Sequence, residues 1–183
     1  MAQMNPTPGE RAIWLAAGMS LSRKLDFAAV GVRALALEAG LPEESLKRNF
    51  VDLKHYMIAL QQHFMDELRA AVLNATASHT PGYERLRSGA VAYLDGWLAR
   101  PGLRGIALGV HEPAAQVAEG LRLQNQSFSL VLSTEFHAMG WPHAVVAARL
   151  FVAILQEVAR AEHVQGRPNP AMREEIWEFL RSY

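Results

Sequence analysis

The chain has 183 residues but no cysteine, no net charge and no long apolar run. Without cysteine it has no disulfide, no thiolate metal site and no cysteine nucleophile. Eighteen basic residues balance eighteen acidic ones, which excludes a protein that binds nucleic acid through a large net positive charge. The richest apolar stretch, residues 144–155, is interrupted by Arg149 and is shorter than the roughly 20 residues of a membrane span. We find no targeting signal and expect a soluble, cytoplasmic protein that needs no membrane.

What the sequence does contain is a succession of helix signals. Alanine, leucine, glutamate and arginine dominate, glycine and proline fall at intervals, and strand-type alternation is nowhere sustained. We therefore predict an all-α fold of about nine helices. The first follows a capping box with Thr7 as N-cap and Pro8 in the first turn. The later predicted helices span residues 32–39, 42–50, 52–77, 80–100, short pieces within 103–120, then 121–139, 142–164 and 171–181.

The segment from Val32 to Phe50 has the layout of a helix-turn-helix motif. Two short helices flank Gly40, a residue suited to the left-handed conformation that ends a helix. In this motif the second helix enters the major groove of DNA. Spacing alone is weak support, because many helical proteins contain a helix pair broken by glycine.

Individual residues make the interpretation more specific. The sequence VRALALEAGL over 32–41, together with Leu46, Phe50 and Leu60, resembles the N-terminal domain of the TetR family of transcriptional regulators over about residues 8–65. The resemblance implies a three-helix head at 1–51 and a ligand-binding and dimerisation domain at 52–183, with helix 52–77 connecting them. It also implies a homodimeric repressor that a small molecule releases from a palindromic operator.

The recognition helix departs from the family pattern. Pro42 stands where serine or threonine usually caps the helix, Lys47 replaces a phosphate-binding tyrosine, and Asn49 replaces histidine. Glu43 and Glu44 either stabilise the helix dipole or contact bases. The first 74 residues carry eight basic and eight acidic side chains, so the head is neutral. The residues that we predict to contact double-stranded DNA are Arg33, Ser45, Lys47, Arg48, Asn49 and Lys54.

The C-terminal region combines aromatic side chains with a few polar ones, as an apolar ligand cavity between helices would. Each residue alone is more commonly plain core. The predicted ligand pocket consists of Trp97, Leu103, His111, Gln124, Phe128 and Phe136. Helix 142–164 is apolar on more than one side, which favours burial against a partner as well as its own domain. The predicted dimer interface consists of Leu150, Ile154, Val158, Ile176 and Phe179.

Enzyme motifs are missing from the sequence. There is no zinc-protease helix after His111, no nucleophile elbow, and no glycine-rich phosphate or dinucleotide loop. We predict no catalytic residue, no metal and no cofactor. Two alternatives to a regulator stay open. One is a TetR-fold protein that has lost DNA binding and carries a lipid-like or aromatic molecule, and the other is a purely structural helical adaptor.

Overall fold

The computed structural model describes residues 9–26, 30–103 and 128–181, and these residues form only helices and turns. The all-α prediction is confirmed. In chain order the helices are α1 (Glu10–Leu21), α2 (Val32–Ala39), α3 (Glu43–Asn49), α4 (Leu53–Thr76), α5 (Tyr83–Leu98), α6 (described over 128–138), α7 (Ala144–Gln165) and α8 (Pro170–Arg181). None of the helices described has the length and apolarity needed to cross a membrane.

Glycines set several helix boundaries, and at two of them the sequence prediction was wrong. Helix α1 begins at Glu10, with Gly9 as its N-cap. Glu10 is therefore the first residue of the helix, whereas a capping box requires it to be the third. Thr7 and Pro8 lie outside the described residues. Helix α5 begins at Tyr83, because Gly82 takes a φ of 135° that stops the helix from extending back to Thr80. By contrast, α2 ends as predicted at Gly40, with φ 64°.

The N-terminal head is a three-helix cluster closed by the start of α4. Trp14 of α1, Leu35 of α2 and Leu46 of α3 are buried together, and Tyr56 of α4 covers them. Helix α1 approaches α4 closely at Gly18, where an added Cβ would overlap the Tyr56 hydroxyl. Only a residue without a side chain therefore allows this contact.

The body is built around the long pair α4 and α5. Gly89 of α5 lies against Thr76 of α4, whereas Gly96, seven residues further along α5, lies against Leu68 of α4. The two helices therefore run antiparallel. Helices α7 and α8 also pack against α5. Their buried residues join those of the head in one continuous hydrophobic core that runs through α4.

The end of α1 is joined to the segment that follows α5. The Arg100 guanidinium donates to the carbonyl of Met19 at 3.1 Å, and the Gly102 N–H donates to the carbonyl of Ser22 at 2.8 Å. These bonds satisfy carbonyl groups that the end of a helix leaves without partners. They also place a positive charge at the negative end of the helix dipole. The head is therefore fixed to the body at α1 as well as through α4.

Candidate nucleic-acid interface and ligand cavity

Helices α2 and α3 are joined by a tight turn with a defined hydrogen-bond pattern. The N–H of Leu41 donates to the Ala36 carbonyl at 3.1 Å, and Gly40 donates to Leu37 at 3.3 Å. This is the arrangement of a helix C-cap that needs a left-handed residue at Gly40. Helix α3 then begins after Pro42, and its first turn contains Glu43 and Glu44. The two helices thus form the compact pair that the sequence predicted.

One face of α3 is turned into the head and is occupied by contacts with α1. Ser45 is buried, and its hydroxyl accepts a hydrogen bond from the Trp14 indole at 3.1 Å. The Asn49 amide donates to Glu10 at 3.0 Å and to the Ser45 carbonyl at 2.9 Å. The structure therefore places Ser45 and Asn49 away from the outward face of α3, contrary to their predicted role as DNA contacts. The reason is that Trp14 needs a polar partner where its N–H is buried.

Arginine 11 holds the end of α3 in place. Its guanidinium lies 4.4 Å from the centre of the Phe50 ring and donates to the Asn49 carbonyl at 2.9 Å. Phe50 in turn packs edge-on against Tyr56, with ring centres 5.1 Å apart. Burial raises the pKa of Tyr56, whose hydroxyl donates to the Trp14 carbonyl at 2.9 Å. Helix α3 is thus fixed between α1 and α4, which a helix presented to a rigid duplex requires.

The outward face of α3 carries charges of both signs. Glu44, Lys47 and Arg48 are exposed and follow one another at helical spacing. Arg48 is also near Glu10, at 3.7 Å. This long contact is partly exposed and weak, so it leaves the guanidinium able to change partner.

Three of the predicted DNA contacts are exposed cations on three different helices. Arg33 lies in the first turn of α2, Lys47 on α3 and Lys54 in the first turn of α4. None of the three forms an ion pair with another described residue. Beside Lys54, Asp52 caps α4 by accepting the His55 N–H at 2.8 Å, and this bond lowers the pKa of Asp52. The first turn of α4 therefore stays ordered at the surface of the head.

A cavity of about 240 Å³ lies in the body between α4, α5, α6 and α7. Its walls are mainly apolar, with Val72 on α4, Ala90 on α5, Leu132 on α6 and Phe151 on α7. Tyr93 and Phe128 meet edge to face at one part of the wall, with ring centres 6.4 Å apart. Burial raises the pKa of Tyr93 to about 12, so its hydroxyl stays protonated and neutral at physiological pH.

An ion pair between Arg85 and Glu135 forms another part of the cavity wall. Glu135 is almost fully buried and accepts from Arg85 at 2.9 Å and from the Gly82 N–H at 2.9 Å. Arg69 also lines the cavity, at its exposed edge, and pairs with Asp66 at 3.3 Å. Arg85 therefore neutralises the charge of the buried Glu135.

The predicted pocket residues divide into three groups. Phe128 lines the cavity. Trp97, Leu103 and Phe136 are buried in the core outside it, and Trp97 stacks edge-on against Phe64 with ring centres 4.8 Å apart. His111 and Gln124 lie outside the described residues.

Sequence reasoning missed the principal lining residues of α5. Arg85, Gly89 and Tyr93 recur at intervals of four along this helix and all line the cavity. That spacing places them on one helical face, which the sequence contained as a signal. Glu135 could not be found in this way, because it comes from a helix fifty residues further along.

The predicted dimer-interface residues differ in how far they are exposed. Val158 and Ile176 are buried within their own chain, where they pack α7 and α8 against the body. Ile154 and Phe179 are partly buried. Leu150 is 55% exposed and belongs to an apolar strip on α7 with Val146. Within the described ranges, no group of three or more acidic or histidine side chains is placed to hold a metal ion.

The head and the body together form an all-helical fold with a cavity between the helices of the body. No protein-family model and no curated protein sequence matches the chain. Solved structures do. A transcriptional regulator from Rhodococcus sp. RHA1 superimposes with a TM-score of 0.75 at 15% identity, covering 94% of each chain.

Two further solved structures have the same overall fold. The regulatory protein TetR from Rhodobacter sphaeroides gives a TM-score of 0.75 at 16% identity, over 94% of this chain and 97% of the other. Reduced NemR from E. coli gives 0.70 at 15% identity, over 94% of this chain and 96% of the other. The protein therefore has the TetR-family fold along nearly its whole length.

Proposed function

We propose that the protein is a DNA-binding transcriptional regulator of the TetR type, acting as a repressor that a small molecule releases from its operator. The observation that carries this proposal is the rigid placement of α3. Trp14, Arg11 and Tyr56 fix it, while Lys47 on its outer face stays exposed and unpaired among the described residues. A fixed helix with an exposed cation is what insertion into the major groove requires.

The proposed DNA contacts are fewer than the sequence indicated. Lys47 and Arg48 would meet the major groove, and Arg33 and Lys54 would meet phosphates on either side. Ser45 and Asn49 are left out, since their side chains stabilise the head. Because the head as a whole is neutral, we expect weak non-specific binding and affinity that depends on these few contacts.

We also propose that two chains associate through α7 and α8, with Leu150 and the neighbouring Val146 in the contact. A dimer presents two recognition helices to two half-sites one helical turn apart. The mechanism of release would be a shift of population. A ligand in the cavity favours the dimer in which the two heads are spaced incorrectly for successive major grooves. Light scattering after size exclusion should give about 40 kDa, twice the 20.2 kDa of one chain.

Selection from a random pool of duplex DNA, at low and at physiological salt, tests the proposal. Enrichment of a palindrome with half-sites about one helical turn apart is the expected result. A variant with Lys47 and Lys54 both changed to alanine should enrich nothing from the same pool. If the unmodified protein also enriches nothing at either salt concentration, the proposal that it binds DNA is wrong.

One observation favours a second candidate, a carrier of an apolar molecule that no longer binds DNA. Glu43 and Glu44 stand exposed beside Lys47, and two residues of α3 with base-reading side chains point inward. Carboxylates at this position would repel phosphates. A carrier should pass through a heparin column without retention and should yield a bound apolar compound on extraction with solvent.

A further inference from the structure

The size of the cavity limits what it can hold. Its volume of about 240 Å³ is larger than the roughly 150 Å³ that accommodates one benzene ring in a protein core, and smaller than pockets for drug-sized ligands. It therefore suits a molecule of about two fused rings. The inference that follows rests on the proposed ligand-binding role of this same cavity.

The α5 residues that line the cavity run from Arg85 to Tyr93, and the chemistry of the wall differs between these two residues. Tyr93 and Arg85 both line it, and they are eight residues apart, which is about 12 Å along a helix. At the Tyr93 end, its ring and that of Phe128 offer aromatic surfaces. At the Arg85 end lies the pair with Glu135. A ligand alongside α5 thus meets aromatic rings near Tyr93 and, about 12 Å along the helix, the guanidinium of Arg85 that is paired with Glu135.

The Arg85 guanidinium is already neutralised but has hydrogen-bonding capacity left. It donates to one oxygen of Glu135, and the other oxygen of Glu135 accepts from the Gly82 N–H. A guanidinium has five N–H groups, so Arg85 keeps donors beyond those that Glu135 takes. A second anion beside this pair would lose its hydration and would be repelled by the Glu135 carboxylate. A neutral acceptor loses less hydration energy and is not repelled as a charge is.

Arg69, the other cation in the wall, does not call for an anionic ligand. It is at the exposed edge of the cavity and pairs with Asp66, which is exposed as well. Water and salt screen charges at such a position. We propose that the cavity binds an uncharged, apolar molecule of about two fused rings that carries one hydrogen-bond acceptor, with the acceptor at Arg85 and the rings against Tyr93 and Phe128.

Three naphthalenes substituted at the same ring carbon test this proposal by calorimetric titration of the free protein. Ethylnaphthalene is apolar throughout, acetylnaphthalene adds a neutral carbonyl acceptor, and naphthoate adds a negative charge. We expect acetylnaphthalene to bind at least ten-fold more tightly than naphthoate, and about ten-fold more tightly than ethylnaphthalene because of the bond to a charged donor.

Variants locate the binding in the cavity and at Arg85. Val152→Phe fills the cavity from α7 and should abolish binding, whereas Val164→Phe makes the same change at an exposed position of the same helix and should not. Removing both members of the pair, with Arg85→Met and Glu135→Met together, leaves no buried charge in the described part of the cavity wall. This double variant should bind acetylnaphthalene and ethylnaphthalene equally.

Two results would overturn the proposal. If naphthoate binds most tightly and Arg69→Gln removes that binding, the ligand class is an amphipathic acid held at the edge. If none of the three compounds binds at millimolar concentration, both the size and the class are wrong. Because no DNA is present, these outcomes are independent of the operator selection, and either proposal can fail while the other stands.

Discussion

Trp14 and Ser45 are 31 residues apart in sequence and form a buried hydrogen bond of 3.1 Å between the indole N–H and the hydroxyl. Both side chains are inaccessible to water, so the bond has no competing solvent partner. It fixes the rotation of α3 about its own axis, and thereby decides which of its residues face outward. Ser45, which the sequence predicted to contact DNA, therefore orients the residues of α3 that we propose as DNA contacts.

Ser45→Ala should destabilise the protein by about 1–3 kcal/mol, because it leaves the Trp14 N–H buried without an acceptor. Thermal and chemical unfolding measure this loss. Ser133→Ala is the matched control, since its hydroxyl donates to the Leu130 carbonyl within its own helix, in a hydrogen bond that is exposed to water. If the two variants unfold at the same temperature, the bond between Trp14 and Ser45 contributes nothing to stability.

How far the sequence could predict this structure depended on the range of the interactions. Gly40 and the acidic first turn of α3 are local signals, and they located the helix-turn-helix pair correctly. The rotation of α3 depends on Trp14 in another helix, and spacing within a seven-residue helix does not contain that information. The same reason explains the cavity. Arg85 was not singled out, because its partner Glu135 becomes visible only once α5 and α6 are packed together.

Gly102→Ala should destabilise the junction between head and body. A Cβ at this position would overlap the carbonyl oxygen of Leu25, and a backbone atom cannot move aside as a flexible side chain does. Relieving the overlap would break the bond from Gly102 to Ser22. We expect a loss of about 1–3 kcal/mol in the free energy of unfolding, measured with urea.

Gly31→Ala is the control for this change. An added Cβ at Gly31 meets no atom within 4 Å, and its φ of −90° is open to every residue. We expect its stability to stay within about 0.5 kcal/mol of the unmodified protein. Equal effects of the two substitutions would mean that the contact between α1 and the end of α5 is not specific.

Arg173→Met should be among the most damaging single changes in the body. Arg173 donates two hydrogen bonds to the buried Glu162, at 2.7 and 2.8 Å, and those bonds hold the pKa of Arg173 above its usual range. Removing the guanidinium takes two charge-assisted hydrogen bonds from a buried carboxylate, which costs about 3–5 kcal/mol. Urea unfolding at neutral pH measures the loss.

The exposed pair of Arg160 and Glu157 provides the comparison. It has similar bond lengths, 2.6 and 2.9 Å, but both side chains are about half exposed. Arg160→Met should therefore cost far less than Arg173→Met, because water and salt screen the exposed pair. A small effect at both positions would indicate that Glu162 finds water or another donor once Arg173 is gone.

The three lysines of the chain allow a controlled test of DNA binding. Lys47 is on the outward face of α3 and Lys54 is in the first turn of α4, whereas Lys24 follows the end of α1 and is equally exposed. On the selected operator, Lys54→Ala should weaken binding to all sequences alike and reduce the slope of log affinity against log salt by about 1, as loss of one phosphate contact does. Lys47→Ala should in addition relax the preference at one base position of each half-site.

Lys24→Ala is the control and should change neither the salt dependence nor the base preference. Fluorescence anisotropy over a range of salt concentrations measures all three variants. Equal losses from all three lysines would mean that binding follows net charge and that α3 is not the recognition element.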